Sequence, residues 1–132
     1  MEIKIYTGAD CVKEEEILEI MRKDQEKVNG MLSNYCFPEK DLIRPCQQFQ
    51  KYYDLTNDYI KGDVSLFVAT FSDHLLNGIR NAIKTNAFKG AKTVFIDNNR
   101  VITEIKMFDN GKLEHWPDGM FDQWEKALMM LL

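Results

Sequence analysis

Seven residues near the middle of the chain, Val64 to Thr70, constrain its fold more than any others. The run reads VSLFVAT, nearly without a polar break and rich in β-branched and aromatic side chains. A strand with one wet face alternates; a run apolar throughout is a strand covered on both faces. It is followed at once by Ser72 and Asp73, good helix N-caps, and by Leu75, Leu76, Ile79 and Ile83 at helical spacing. Strand leading straight into helix predicts a crossover unit, and so a sheet with helices packed on it.

The flanking segments extend the pattern. Residues 2–6 (EIKIY) alternate and predict a short strand, and Thr7 to Asp10 predicts a turn with Asp10 as the cap of a helix. Ile17, Leu18, Met21, Val28, Met31 and Leu32 recur at helical spacing, which carries that helix to about residue 33. Glu14, Glu15 and Glu16 suit its first turns and read as a solvated face. Ser33 to Pro45 reads as irregular, and a second helix begins near Cys46. Phe49, Tyr52, Tyr53, Tyr59 and Ile60 form a stripe on it that reads as core rather than as a base-stacking platform.

Lys92 to Asp97 and Val101 to Phe108 predict two strands joined by a tight hairpin at Asn98-Asn99. Asp109-Asn110-Gly111 predicts a turn with a short return near Leu113. Trp116-Pro117-Asp118-Gly119 then leads into a last helix carrying Phe121, Trp124, Leu128 and Leu131. The order predicts a single α/β domain over 1–132, a mixed and mostly parallel sheet flanked by about four helices.

Composition narrows the function classes. A hydrophobic fraction of 45% and a charged fraction of 29% describe an ordinary globular chain. A net charge of -4 argues against nucleic-acid binding by bulk electrostatics, and no Lys/Arg cluster stands out. No run approaches the roughly 18 apolar residues of a membrane span. The opening MEIKIYTGAD lacks the layout of a signal peptide, which favours the cytoplasm. Cys11, Cys36 and Cys46 are odd in number and match no zinc spacing, so reduced thiols are expected.

No catalytic constellation is complete. Asp73-His74 at a helix start is conceivable as an acid–base pair, but capping and packing explain it more simply. His115 reads as a surface residue. Glu39 and Asp41, with Asp63, Asp73 or Asp97, are candidates for a magnesium cluster, although exposed loop acids are common. Neither a metal nor a cofactor is expected. Ala127 to Leu132 is apolar throughout and cannot all face inward on one helix, so Met129 and Met130 either meet a partner chain or wedge into the domain.

Two segments carry a family resemblance. VATFSDHLLNGIRNAIK, residues 68–84, resembles a loop of bacterial AAA/ABC-type ATPases reading Glu-Thr-His-Ser-Asp-His and then Leu-Asn-Gly-Ile-Arg. These ATPases are relatives of the overcoming-lysogenisation-defect nucleases and of the SMC-like ATPases of phage defence. DNGKLEHWPDGMFDQWEKALMMLL, residues 109–132, resembles the same family's C-terminal Trp-Pro-x-Gly-Phe-Phe-Asp and helix. Pro38-Glu39 with Arg44-Pro45-Cys46-Gln47-Gln48 more weakly resembles the segment after its Walker B strand, Pro-Glu, Leu-His-Pro and a Gln. The resemblance implies that residues 36–132 correspond to the C-terminal part of such an ATPase domain, while 1–35 match nothing in it.

The departures decide what function the resemblance implies. The family's switch histidine is Phe71, the acid two residues before it is Ala69, and the His of Leu-His-Pro is Arg44. Met31 to Phe37 lacks the paired acids that end a Walker B strand, and no G-x-x-x-x-G-K-[S/T] phosphate loop occurs. A benzyl ring at 71 cannot bond a γ-phosphate or orient water. The implied protein is a truncated, catalytically inert ATPase relative that binds a partner, an ATPase or nuclease subunit or a second copy. Phe71, Ser72, Asp73, His74, Trp116, Trp124, Met129 and Met130 are the candidate interaction residues. Residues 1–35 are then expected to cover the sheet edges that such a fragment would expose. The alternatives are a subunit that completes a split ATPase site in trans, and a small metal-dependent hydrolase or nuclease.

Overall fold

A computed structural model describes residues 1–121. Five strands, β1 (Ile3–Gly8), β2 (Leu32–Cys36), β3 (Ser65–Ala69), β4 (Ala91–Ile96) and β5 (Ile102–Met107), form one sheet in the order β2-β3-β1-β4-β5. The first four are parallel, and β5 runs antiparallel to β4. The described α-helices are α1 (Glu14–Gln25), α2 (Pro45–Lys61) and α3 (Asp73–Asn86), with a short 3-10 turn at Pro38–Asp41. The α/β architecture with a mixed, mostly parallel sheet is as the sequence predicts.

The VSLFVAT run explains the layering. Every residue of β3 is buried, because helices cover both of its faces. On one face Tyr6, Phe67 and Ala69 pack with Ile17 and Met21 of α1. On the other, Ile3, Ile5, Leu66 and Val68 pack with Tyr52 of α2 and with Leu75, Leu76, Ile79 and Ile83 of α3. The two helices on that second face approach closely at Gly78, where a Cβ would sit 2.4 Å from the Phe49 carbonyl oxygen. Beyond α1 the sheet surface is ionic, with Lys4 3.4 Å from both Asp24 and Glu104.

Several expectations are corrected. The first strand runs on through Thr7 and Gly8, which the sequence assigns to a turn. The cap of α1 is Lys13, not Asp10, and the helix ends at Gln25 rather than near residue 33. Leu32 to Cys36, assigned to the helix end and an irregular stretch, is an edge strand paired in parallel with β3. Gly30, at φ 116°, supplies the left-handed backbone that lets the chain turn into it. Residues 1–35 supply two strands: β1 is central, between β3 and β4, and β2, which begins at Leu32, is the edge strand along β3, the other edge being β5. Phe121, assigned to the start of the last helix, has φ 52° and is not helical. The rest of that helix, with Trp124, Leu128, Met129, Met130 and Leu131, lies outside the described residues.

Candidate functional site at the carboxyl ends of the strands

Open α/β sheets bind ligands outside the carboxyl ends of their strands, where successive connections leave for opposite faces. Here β1 leads to α1 on one face, and its neighbour β3 leads to α3 on the other. A cleft of about 260 Å³ lies at that point, lined by Thr7, Gly8, Ala9, Asp10, Val12, Phe71, Gly119 and Phe121.

The loop after β1 forms one wall. The Ala9 N–H donates to the Ile96 carbonyl at 2.9 Å, and the Val12 N–H to the Ala9 carbonyl at 2.9 Å. Val12 tucks back so tightly that a Cβ on Gly8 would sit 2.9 Å from it. The β4–β5 hairpin clamps this loop from outside. Arg100 Nε donates to the Glu16 carboxylate at 3.0 Å, and the Asn98 side-chain oxygen accepts the Cys11 N–H at 3.0 Å.

The start of α1 is closed by its own acids. The Lys13 N–H donates to the Glu16 carboxylate at 2.9 Å, and Glu14 pairs with Lys40 at 2.6 Å. These bonds hold the Glu16 carboxyl below, and the Lys40 ammonium above, their usual ranges, the Lys13 backbone bond and the Glu14 bond being the leading causes. In phosphate-binding sheets of this kind a helix start supplies bare N–H groups to an anion. Here an approaching phosphate meets three carboxylates, Glu14, Glu15 and Glu16.

The loop after β3 forms the facing wall, and one residue that sequence reading set aside organises it. The Glu39 carboxylate accepts from the Phe71 N–H at 2.8 Å and from the Thr70 hydroxyl at 3.0 Å. The Ser72 N–H donates to Thr70 Oγ1 at 2.9 Å. Ser72 Oγ accepts from the Leu75 N–H at 3.3 Å, capping α3, and bonds to Gln48 Oε1. Glu39 and Gln48 therefore meet the 70–73 loop directly. Phe71 lies against Phe37 with ring centres 5.0 Å apart and remains 41% exposed at the cleft.

The other candidates divide. Ser72 is committed to the cap. His74 is exposed, and its ion-pair partner among the described residues is Asp73, at 3.5 Å. Trp116 is not in the cleft lining; Arg80 joins its segment to α3. The Arg80 side chain donates to the Gly111 carbonyl at 2.7 Å and to Asn77 Oδ1 at 3.1 Å, and its guanidinium lies 5.7 Å from the Trp116 ring centre. Trp116 Nε1 donates to the Met120 carbonyl at 2.6 Å, and its ring lies 6.4 Å from that of Phe121. Burial lowers the Arg80 pKa. Asn77-Gly78-Ile79-Arg80 is thus a packing unit: Asn77 orients Arg80, Gly78 admits α2, Ile79 fills the core, and Arg80 fastens the Trp-Pro-x-Gly segment. Trp124, Met129 and Met130 lie outside the described residues. Glu39, the most exposed to misreading of the loop acids, is a loop brace, and among the described residues no three His, Cys, Asp or Glu side chains are placed to share a metal ion.

Sheet order and cleft together define an open α/β protein whose crevice at the β1/β3 switch point is lined by two aromatic rings and one acid. Residues 93–131 are similar to a family described as a protein of unknown function, DUF3696, a match that spans less than a third of the chain. No curated protein matches the chain. No solved structure matches it either. No helix among the described residues is long and apolar enough to cross a membrane.

Proposed function

We propose that this protein is a catalytically inert, ATPase-like accessory protein that works by binding a protein partner. The observation that carries the reading is the cleft itself. Asp10 is the only charged side chain among its described lining residues, and the nearby helix start carries three acids. Nothing there favours a triphosphate, and Phe71 occupies the position where the ATPases it resembles carry a catalytic histidine. The DUF3696 match overlaps the Trp-Pro-x-Gly segment, which supports the resemblance at that end of the chain.

ATP with magnesium is expected to leave the Tm of the chain unchanged, and Phe71→His should show neither a shift nor turnover. A ligand present at 100 times its Kd adds ~2.7 kcal/mol, worth several degrees in a domain of this size. A shift of that size would replace the inert reading with a nucleotide-binding one.

The partner surface we favour is the β2 edge. Val28 to Phe37 contains no charged residue. β2 is hydrogen-bonded to β3 alone among the described strands. Natural edge strands are normally blunted by charges or bulges, and an unguarded edge is a template for strand addition. The opposite edge, β5, presents Glu104 and Lys106 to solvent. Asn34→Lys puts a charge on the exposed part of β2 and is expected to abolish capture of the partner from the native host, with the Tm retained. Equal capture by wild type and variant would remove β2 from the interface.

A further inference from the structure

The chain carries a net charge of -4, but that charge is segregated: residues 76–112 hold seven Lys or Arg and three Asp or Glu. The fold gathers several of these cations around one turn, on a surface separate from the switch-point cleft. The turn is closed by the Phe108 N–H donating to the Lys112 carbonyl at 2.8 Å and the Gly111 N–H donating to the Phe108 carbonyl at 2.9 Å. On one side a cleft of about 240 Å³ lies between the turn and α3, with Arg80, Lys84 and Lys112 in its lining. On the other side a cleft of about 300 Å³ is lined by Lys89, Lys106 and Phe108.

Arg80 is already spent on Gly111, Asn77 and Trp116. The four lysines are not: none has a carboxylate within ion-pairing distance among the described residues. Asp109 is the one carboxylate among the described residues lining either cleft. Unpaired cations held on both sides of a turn create a local positive potential that a net charge conceals. The turn also carries an aromatic ring, Phe108, 40% exposed, with Lys106 Nζ 5.7 Å from its centre. Lysines that track a phosphate backbone, interleaved with an exposed ring, are the recognition elements of single-strand binders. An acidic peptide would use the lysines but leave the ring without a role.

We propose that the Phe108–Lys112 turn binds single-stranded nucleic acid, with Lys84 and Lys112 on one phosphate, Lys89 and Lys106 on a neighbouring one, and a base stacked on Phe108. The test is fluorescence anisotropy of the full chain with a labelled oligothymidylate of about 20 nucleotides, across a salt series. Binding is expected at low salt, with log Kobs falling against log salt at a slope near -1.4, about 0.7 for each of two phosphates. The double variant Lys84→Glu/Lys112→Glu should bind at least ~10-fold more weakly. Phe108→Ala should bind about fivefold or more weakly at an unchanged urea midpoint. No binding at roughly 100 μM chain, the weak limit for non-specific contacts, would overturn the proposal. So would affinities that both variants leave unchanged, or polyglutamate of equal length competing as well as unlabelled oligothymidylate.

Discussion

Gly78→Ala is expected to destabilise the protein by ~2–3 kcal/mol, lowering the urea midpoint with little change in m. Local propensity argues the other way, since Ala in a helix interior is favoured over Gly by ~1 kcal/mol. The packing term decides the sign. The new methyl would lie 2.4 Å from the Phe49 carbonyl oxygen and 3.2 Å from its Cα, both backbone atoms of α2. A flexible side chain could swing aside; a helix backbone must move as a body, and α2 carries Tyr52 into the core shared with α3. A midpoint equal to or above wild type would show that α2 can retreat without cost, and would refute the tight α2–α3 crossing.

Arg80→Ala is expected to cost ~2–4 kcal/mol and to lower the Tm by roughly 10 °C. Two charge-assisted hydrogen bonds and one contact over an indole disappear, each worth about 0.5–3 kcal/mol at a partly buried site. The loss is local, so Trp116 emission should shift red at lower denaturant than the far-ultraviolet circular dichroism signal changes. Arg80→Lys keeps the charge but not the planar fork that reaches Gly111 and Asn77 together, and should fall between the two. Coincident unfolding by both probes in Arg80→Ala would mean that this residue does not specifically fasten the Trp-Pro-x-Gly segment.

Much of this arrangement was legible in the residues, and the failures have identifiable causes. VSLFVAT announced the doubly covered strand, and Ser72 announced the cap of α3, because both are local signals. β2 was hidden because Val28, Met31 and Leu32 fall at helical spacing behind Ile17 and Met21; the Asn29-Gly30 pair was the turn signal that outranked them. Phe71 was singled out as an interaction candidate, and the fold places it in the lining of the cleft. The bracing role of Glu39 was not legible, since a loop acid acquires its partners only when residues some thirty positions apart are brought together. The basic turn was masked by summation: three acids within residues 14–16 cancel on paper lysines that lie on another surface.

The place of β1 in the sheet bears on how the chain reaches its fold. Ile3 to Tyr6 pair with Leu66 to Ala69 on one side, and Ile3 to Gly8 with Ala91 to Ile96 on the other, so each ladder joins parts of the chain about sixty or more positions apart. Loop closure over such spans must precede any reward from pairing, which makes folding slow and leaves little stable structure before β4 is available. During synthesis β1 has no sheet neighbour until β3, about sixty positions further on, has followed. Residues 36–132 by themselves likewise lack the strand that joins β3 to β4, so the N-terminal segment is the piece on which assembly of the sheet depends.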